Sequence, residues 1–304
     1  MGVSRAVDLG GKPSTAVRPL APAAPRRLLP WLALAGLVLA AGCASVNQAP
    51  PPAAVAELKP GIPVGFLQPD ALPDGLTLLP PPPAPGSAAM AADQAAFRAT
   101  RAFRNTPRWA LASADAVLKL PEGPQAFSCA LDAPITQEAT PNLYALLGRS
   151  ATDAKLAAAP TKEHYRRIRP FVVNRQASCT PDDEARLRLN GSYPSGHTMI
   201  GWTWTLILTE LAPERADRLL ARGYAFGQSR VICGVHWQSD VTASRVLAPG
   251  VVARLHADPA FRAQLEAAKA ELAAARAKGL RPTRDCRAEA AALAVTLPKT
   301  RHPR

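Results

Sequence analysis

The sequence predicts an all-α protein with a single helical-bundle domain at residues 88–279. Ala-rich stretches in this interval place apolar residues three and four positions apart, the spacing that buries one face of a helix. The alternating pattern of β-strands bounded by turn pairs is absent from it, and no internal repeat is evident. About 190 residues are enough to build one substantial hydrophobic core.

Helical spacing recurs in six stretches, residues 88–104, 107–118, 141–158, 198–211, 214–232 and 259–278. Two of them start with a polar residue and a proline, Thr140-Pro141 and Asp258-Pro259, which is typical of an N-cap and the first helical position. Gly279 followed by Pro282 predicts the end of the last helix. The loop-rich interval from Pro170 to Tyr193 separates two helices, and long loops in compact domains tend to be functional.

The first 42 residues have the composition of a signal peptide. Arg26 and Arg27 precede a 14-residue apolar run, which is too short to span a bilayer because that requires about 20 residues. Residues 39–43, Leu-Ala-Ala-Gly-Cys, are similar to a bacterial lipoprotein cleavage site and would make Cys43 the lipidated first residue. Ordinary signal cleavage nearby is the alternative. We expect an exported protein, periplasmic or anchored to the outer membrane.

The segments that flank the predicted domain differ in composition. Residues 43–87 are rich in Pro and Ala, which predicts an extended linker or a segment that lies on a domain surface. Residues 280–304 are predicted to be a basic, solvated tail, since residues 278–304 hold seven cations and only two anions. Nucleic-acid binding is not expected, because no aromatic residues alternate with these cations. The net charge of +13 instead favours attraction of anionic substrates.

Four cysteines follow Cys43, namely Cys129, Cys179, Cys233 and Cys286. An even number in an exported protein predicts two disulfides. The sequence leaves three pairings open, with a weak preference for pairing neighbours, Cys129 with Cys179 and Cys233 with Cys286. No short Cys-x-x-Cys spacing is present, so a metal site is not expected.

Basic and hydroxyl residues form the first two of three chemically suggestive blocks. Lys162 and Arg169 are seven positions apart, so both could face one side of a helix, with Pro170 ending it and holding Arg169 extended. On its own this block resembles a solvated basic surface. In the second block, Ser195-Gly196 at a helix start would offer a hydroxyl and free N–H groups to an anion, and His197 would project into the same space.

The third block places a histidine four residues before a carboxylate. If residues 236–240 are helical, His236 and Asp240 share a face, and Asp240 would fix the tautomer of His236 and leave its other nitrogen nucleophilic. Arg230, six residues before His236, would supply another cation for a phosphate. A structural His–Asp pair is the alternative interpretation.

Taken together, the three blocks resemble the signature of the acid phosphatase and vanadium haloperoxidase superfamily, which also contains type-2 phosphatidic acid phosphatases. The octapeptide at 191–198, Gly-Ser-Tyr-Pro-Ser-Gly-His-Thr, is similar to that of bacterial class A non-specific acid phosphatases at every position. The resemblance extends from about Leu79 to Gly279. It implies the helical bundle of that superfamily and hydrolysis of small phosphate monoesters without a cofactor or metal.

The resemblance also implies a role for each matching residue. His236 would attack phosphorus and become a phosphohistidine, Asp240 would orient it, and His197 would protonate the leaving group and then activate water. The phosphoryl oxygens would be bound by Lys162, Arg169, Ser195, Gly196 and Arg230. The resemblance implies that the two histidines titrate as a coupled pair, with His197 protonated while His236 is neutral.

Two other functions are consistent with parts of this pattern. A vanadium-dependent haloperoxidase uses the same kind of anion site, although such enzymes resemble this chain only in the three blocks. A non-catalytic, anion-binding envelope lipoprotein would not need Asp240. Membrane contact is expected only through an N-terminal lipid anchor, and the oligomeric state, including a homo-oligomer, stays open.

Overall fold

Helices supply nearly all the regular structure between residues 56 and 295, the part of the chain that the computed structural model describes, and the all-α prediction is confirmed. A small antiparallel hairpin pairs β1 (Glu57–Lys59) with β2 (Ile62–Pro63). The helices are α1 (Gly75–Leu78), α2 (Ala88–Thr100), α3 (Pro107–Ala114), α4 (Glu122–Gln125), α5 (Ser128–Leu131), α6 (Pro141–Tyr165), α7 (Pro170–Val173), α8 (Glu184–Arg188), α9 (Gly196–Leu211), α10 (Ala216–Ile232), α11 (Gln238–Ala257), α12 (Pro259–Ala277) and α13 (Cys286–Ala294). Short 3₁₀ turns lie at Pro69–Ala71, Arg101–Phe103, Pro181–Asp183 and Pro213–Arg215.

Helix α9 lies at the centre of the bundle. It carries apolar residues around most of its circumference, and a helix of this kind is stable only when other elements surround it. Helices α6, α10 and α11 pack against α9, and α12 packs against α6. Trp204 on α9 is fully buried and donates its indole N–H to the carbonyl of Leu147 on α6 (2.7 Å), which satisfies its one polar atom.

The predicted helix ends agree with the structure in most respects. Asp258 caps α12 by accepting the N–H of Phe261 (2.8 Å), and Gly279 follows the end of α12 with φ of 69°. Helix α6 begins at Pro141 as predicted, but Thr140 makes no capping hydrogen bond. Instead, the Glu271 carboxylate of α12 accepts the first free N–H groups of α6. The cap is therefore supplied by a packed neighbour rather than by the local sequence.

Internal prolines explain two differences from the predicted helices. The pattern predicts a helix that ends at residue 158, whereas α6 continues through Pro160 to Tyr165. Helix α11, which contains Pro249, is absent from the six predicted stretches. A proline removes one N–H donor and disfavours a helix interior. Here packing on α9 and α6 outweighs that local preference.

Part of the segment predicted as a linker lies against the helices. Phe66 and Leu79 are buried in the main core. Asp153 on α6 holds this segment by accepting the main-chain N–H groups of Phe66 (2.9 Å) and Leu67 (3.1 Å). These contacts fix the segment beside α6, and Thr152 in the middle of α6 donates to the carbonyl of Pro63 in the β1–β2 hairpin (2.7 Å).

Two disulfides are present, as predicted, but the preferred pairing of sequence neighbours is wrong. Cys129 on α5 bonds Cys286 at the start of α13, and Cys179 bonds Cys233 after α10. Helix α13 lies within the segment expected to be a solvated tail, and it packs against α3. The packing of the helices, not the distance along the sequence, decides which cysteines lie close enough to bond.

The predicted signal peptide and Cys43 lie outside the described residues. In the range 56–295, no helix has both the length and the apolar character that a membrane crossing requires.

Candidate active site

The three sequence blocks meet around one cavity of about 730 Å³. It opens between the end of α6, the start of α9 and the α7–α8 region. Five of the eight predicted site residues line it: Lys162, Arg169, Gly196, His197 and His236. The other three, Ser195, Arg230 and Asp240, are buried among residues that contact the lining. The structure thus brings all eight together.

His236 and Asp240 form the expected pair without sharing a helix. Helix α11 starts only at Gln238, with Trp237 in an extended conformation as its N-cap, so residues 236–240 do not form one helix. Asp240 still reaches back, and its Oδ2 lies 3.3 Å from His236 Nδ1 while accepting the Trp237 N–H (2.8 Å). A proton on Nδ1 leaves the lone pair on Nε2, which lies 3.1 Å from Arg169 Nη1.

Arg169 is held almost entirely by protein groups. It caps α7 with the extended backbone predicted for a residue before proline. It does not share a helix with Lys162, because α6 ends at Tyr165. Its five donors meet the carbonyls of Leu187, Val235 and Gly191, the side chain of Asn190, and His236 Nε2 at 3.1 Å.

Arg230 presents the opposite case. It is 1% exposed, yet its Nε and Nη1 atoms have no hydrogen-bond partner among the described residues. Buried guanidinium donors are normally paired, so unpaired ones need an explanation. Its main-chain carbonyl accepts the N–H of His236, which fixes it next to the cavity. The unpaired nitrogens are available to the oxygens of a bound oxyanion.

Gly191 and Ser195 fix the turn that enters α9. A Cβ atom at Gly191 would lie 2.6 Å from the main-chain oxygen of Lys162, so only glycine allows this approach. The Gly191 carbonyl accepts a hydrogen bond from the Lys162 ammonium (3.0 Å). Ser195 caps α9 by accepting the Thr198 N–H, and its own hydroxyl proton stays available. The N–H groups of Gly196 and His197, in the first turn of α9, have no partner within the helix.

His197 is held by a main-chain carbonyl rather than a carboxylate. Its Nε2 lies 2.9 Å from the oxygen of Ala116, in the irregular segment after α3. A carbonyl only accepts, so Nε2 carries a proton and donates it. The other ring nitrogen, Nδ1, is then the one free to exchange a proton inside the cavity.

Positive charge and burial together shift the pKa values of the site. Burial, and then the charges of Arg169 and Lys162, lower the pKa of His236 well below its usual value. The pKa of His197 is lowered in the same way by burial and then by Arg230, with the Ala116 carbonyl opposing. Burial and Arg169 lower the pKa of Lys162 to about 7. An anion in the cavity would reverse these shifts, because an opposite charge favours the protonated forms.

Arg167 and two tryptophans also lie at or beside the site. Arg167, which the sequence groups with a solvated basic surface, has a side chain only 8% exposed and bonds Asp240. Trp237 is buried and donates to the Ile168 carbonyl. Trp204 lines the cavity and also belongs to the core. No local sequence pattern identifies Arg167 as buried, since the neighbouring Arg166 is the same residue type and is exposed.

Apolar groups also line the cavity, with Lys119 and Lys155 among them. The apolar residues are Ile62, Pro63, Val117, Leu118, Leu120, Ile200 and Trp204. Pro63 of the hairpin and Leu120 of the 116–120 segment both lie beside Gly148 on α6. This arrangement suits an anionic group bound at the cations and an apolar group beyond it.

Comparison with known proteins agrees with this geometry. The PAP2 superfamily pattern matches residues 142–262. The chain is similar to the non-specific acid phosphatase of Providencia stuartii, with 50% identity over 201 residues that cover 66% of this chain and 81% of that protein. It is 42% identical over 209 residues to the acid phosphatase of Zymomonas mobilis, covering 69% and 79%. It is 43% identical over 195 residues to the non-specific acid phosphatase of Salmonella typhimurium, covering 64% and 78%.

Proposed function

Because the chain belongs to the bacterial non-specific acid phosphatases of the PAP2 superfamily, and is therefore a phosphatase, we propose that it is an exported enzyme that hydrolyses phosphate monoesters through a phosphohistidine, without a metal ion. The observation that carries this proposal is the pairing of two features, one in the wall of the cavity and one buried directly behind it. His236 has a carboxylate on Nδ1 and a lone pair on Nε2, and Arg230 has unpaired buried donors beside it.

In the first step, the phosphate group lies among Lys162, Arg169 and Arg230, with Ser195 and the Gly196 N–H at its remaining oxygens. Nε2 of His236 attacks phosphorus as the ester P–O bond breaks, and Nδ1 of His197 gives its proton to the departing alkoxide. Three fixed cations stabilise the charge on the phosphoryl oxygens, which is the main contribution protein groups make to phosphoryl transfer. The same cations repel a metal ion from this position, which supports the metal-independent form of the proposal.

In the second step, neutral His197 takes a proton from water as the water oxygen attacks phosphorus. The P–N bond breaks, His236 recovers its lone pair, and inorganic phosphate leaves. His197 therefore needs its proton at the start of the cycle, although burial and Arg230 lower its pKa in the free enzyme. The bound phosphate supplies the opposing negative charge, and the Ala116 carbonyl also favours the protonated ring. An acidic to neutral pH optimum follows.

The wide, largely apolar outer cavity supports broad specificity for the alcohol. Side chains in its wall such as Ile62, Leu118 and Leu120 offer no hydrogen bond that would select one alcohol, whereas the phosphate end is dense in donors. We propose small phosphate monoesters of varied alcohols as substrates.

Substitution of the nucleophile tests the mechanism. His236→Ala is expected to lower kcat by roughly 10⁴–10⁶-fold, because the covalent route is lost. Rapid acid-free quenching with radiolabelled substrate should trap a base-stable, acid-labile phosphoenzyme in the wild type and none in the variant. His164→Ala is the matched control, since His164 is exposed and does not line the cavity. Wild-type turnover by His236→Ala, or strong inhibition of the wild type by EDTA, would contradict the proposal.

Export, with lipidation at Cys43, is the remaining part of the proposal. It is supported by the apolar run that precedes Cys43 and by the two disulfides, which form in oxidising compartments. Expression with and without Cys43→Ser tests it. The unaltered protein should fractionate with membranes and the variant with the soluble periplasmic contents. An N-terminus at another residue, found by mass spectrometry, would show ordinary signal cleavage instead.

A further inference from the structure

The carboxylate that orients His236 has a second oxygen with its own partner. Asp240 Oδ2 faces His236 and the Trp237 N–H, whereas Oδ1 accepts a hydrogen bond from Arg167 Nη1 (2.6 Å). Asp240 is completely buried and the Arg167 side chain is 8% exposed. An ion pair at this depth holds its geometry, because neither partner can exchange the other for water.

Arg167 is in turn fixed by Asp93 on α2. Its Nη2 donates to Asp93 Oδ2 (2.7 Å), and its Nη1 also donates to the Ser239 hydroxyl (2.7 Å). Asp93 Oδ1 accepts the Ser239 N–H (2.8 Å), so the same carboxylate holds the start of α11. Asp93 is 3% exposed, and the Arg167 guanidinium lies 5.4 Å from the ring centroid of Trp237. One buried cation thus links two carboxylates, one of them on Asp240.

We propose that Arg167, held in place by Asp93, is a positioning residue for the nucleophile, which keeps Asp240 ionised and turned so that Oδ2 faces His236 Nδ1. This inference rests on the proposed phosphohistidine mechanism. Nothing in the matched signature includes Arg167, and Asp93 lies outside the residues that the superfamily pattern matches.

The electrostatics of Asp240 agree with such a role. Burial raises the pKa of Asp240, and the charge of Arg167 is the largest influence that opposes the rise. Arg167 does not line the catalytic cavity, and its guanidinium already bonds two carboxylates and a hydroxyl. Among the eight predicted site residues, its guanidinium bonds Asp240 alone. Its loss should reduce kcat and leave phosphate binding, and hence KM, nearly unchanged.

The first experiment compares Arg167→Met with Asp240→Asn and with the wild type. We expect Asp240→Asn to lower kcat by roughly 10²–10⁴-fold and Arg167→Met to lower it by roughly 10–100-fold. KM should change by less than a factor of about three, since the phosphate ligands are intact. The acid limb of the kcat/KM profile should move to higher pH by about one unit, because Asp240 without Arg167 is protonated more readily. Arg167→Lys keeps the charge and should restore the pH limb, with only part of kcat.

A matched control and a coupling test separate positioning from a structural role. Arg166→Asn removes the neighbouring exposed arginine, and asparagine tolerates its left-handed φ of 41°. This control should leave kcat, KM and the pH profile unchanged. If Asp93 acts through Arg167, Asp93→Asn alone should lower kcat with the same KM, and adding it to Arg167→Met should lower kcat little further.

The outcomes distinguish this inference from the mechanism on which it depends. Wild-type kcat and pH profile in Arg167→Met, with inactive His236→Ala and Asp240→Asn, would overturn the role of Arg167 and keep the phosphohistidine. Full activity of His236→Ala would overturn both. Additive losses from Asp93→Asn and Arg167→Met would overturn the link through Asp93. If Arg167→Met does not fold, Arg167→Lys and Asp93→Asn decide: unchanged kcat in both overturns the inference, and reduced kcat with unchanged KM supports it.

Discussion

The two histidines of the cavity are held by different kinds of partner. His236 bonds a carboxylate that is itself buried between the Trp237 N–H and Arg167, and its other nitrogen is 3.1 Å from Arg169. His197 lies in the first turn of α9, and its ring donates a hydrogen bond to the carbonyl of Ala116. A full charge therefore supports one ring, and only a dipole supports the other.

This difference matches the two chemical roles that we propose. A nucleophile needs one fixed tautomer and an ionised neighbour that stabilises the imidazole as it gains a bond to phosphorus. An acid that later acts as a base must change protonation state twice in each cycle. A carboxylate on His197 would hold its proton too firmly for the second step, whereas a neutral carbonyl raises its pKa only modestly. The partner of each ring thus suits what the ring has to do.

Removal of His197, the more weakly held ring, should give a large loss that depends on the leaving group. His197→Ala should lower kcat for alkyl phosphates by roughly 10²–10⁴-fold, because the alkoxide then leaves without a proton. For p-nitrophenyl phosphate, whose phenolate leaves unaided, phosphorylation of His236 should proceed nearly normally. Water attack still lacks its base, so phosphoenzyme should accumulate and a burst of phenolate should precede slow turnover. Quenched-flow measurement with both substrates checks this.

The leaving-group dependence is what separates the two rings. His236→Ala should show no burst with either substrate, so it is the reference for loss of the nucleophile. Equal losses for alkyl and aryl phosphates in His197→Ala, with no burst, would break the comparison by assigning both histidines to the same step.

The part of the site that the sequence predicts consists of side chains at fixed spacing. His236, Asp240, Arg169 and Lys162 fall in short blocks, and the structure brings them to one cavity. The partner of His197 could not be predicted, because a main-chain carbonyl such as that of Ala116 carries no residue identity. The sequence does not distinguish Arg167 from Arg166. Arg167 is buried and Arg166 is exposed because of the direction that the chain takes after α6 ends.

The fold shows the same division between local and distant information. Helix α12 has its cap, periodicity and end signal in its own sequence, and all three are confirmed. Helix α11 contains a proline and depends on packing against α9, so its own sequence argues against it. The disulfides depend on where α5 and α13 meet, which spacing along the chain does not encode.

The smallest effect concerns Lys162, whose pKa is lowered to about 7 by burial and by Arg169. In the free enzyme, His197 loses its proton first, since its pKa is well below its usual value. Lys162 then loses its charge as the pH rises through about 7, which weakens phosphate binding. Since kcat/KM reports the free enzyme, its logarithm should fall with a slope of about −1 and steepen to about −2 above that pH.

Arginine stays charged throughout this range, so Lys162→Arg should restore a slope of about −1 between pH 7 and 8.5. Measurement there with a fully dianionic substrate excludes substrate ionisation. An unchanged, steep slope in Lys162→Arg would assign the second ionisation to a group other than Lys162 and would overturn this role for its charge.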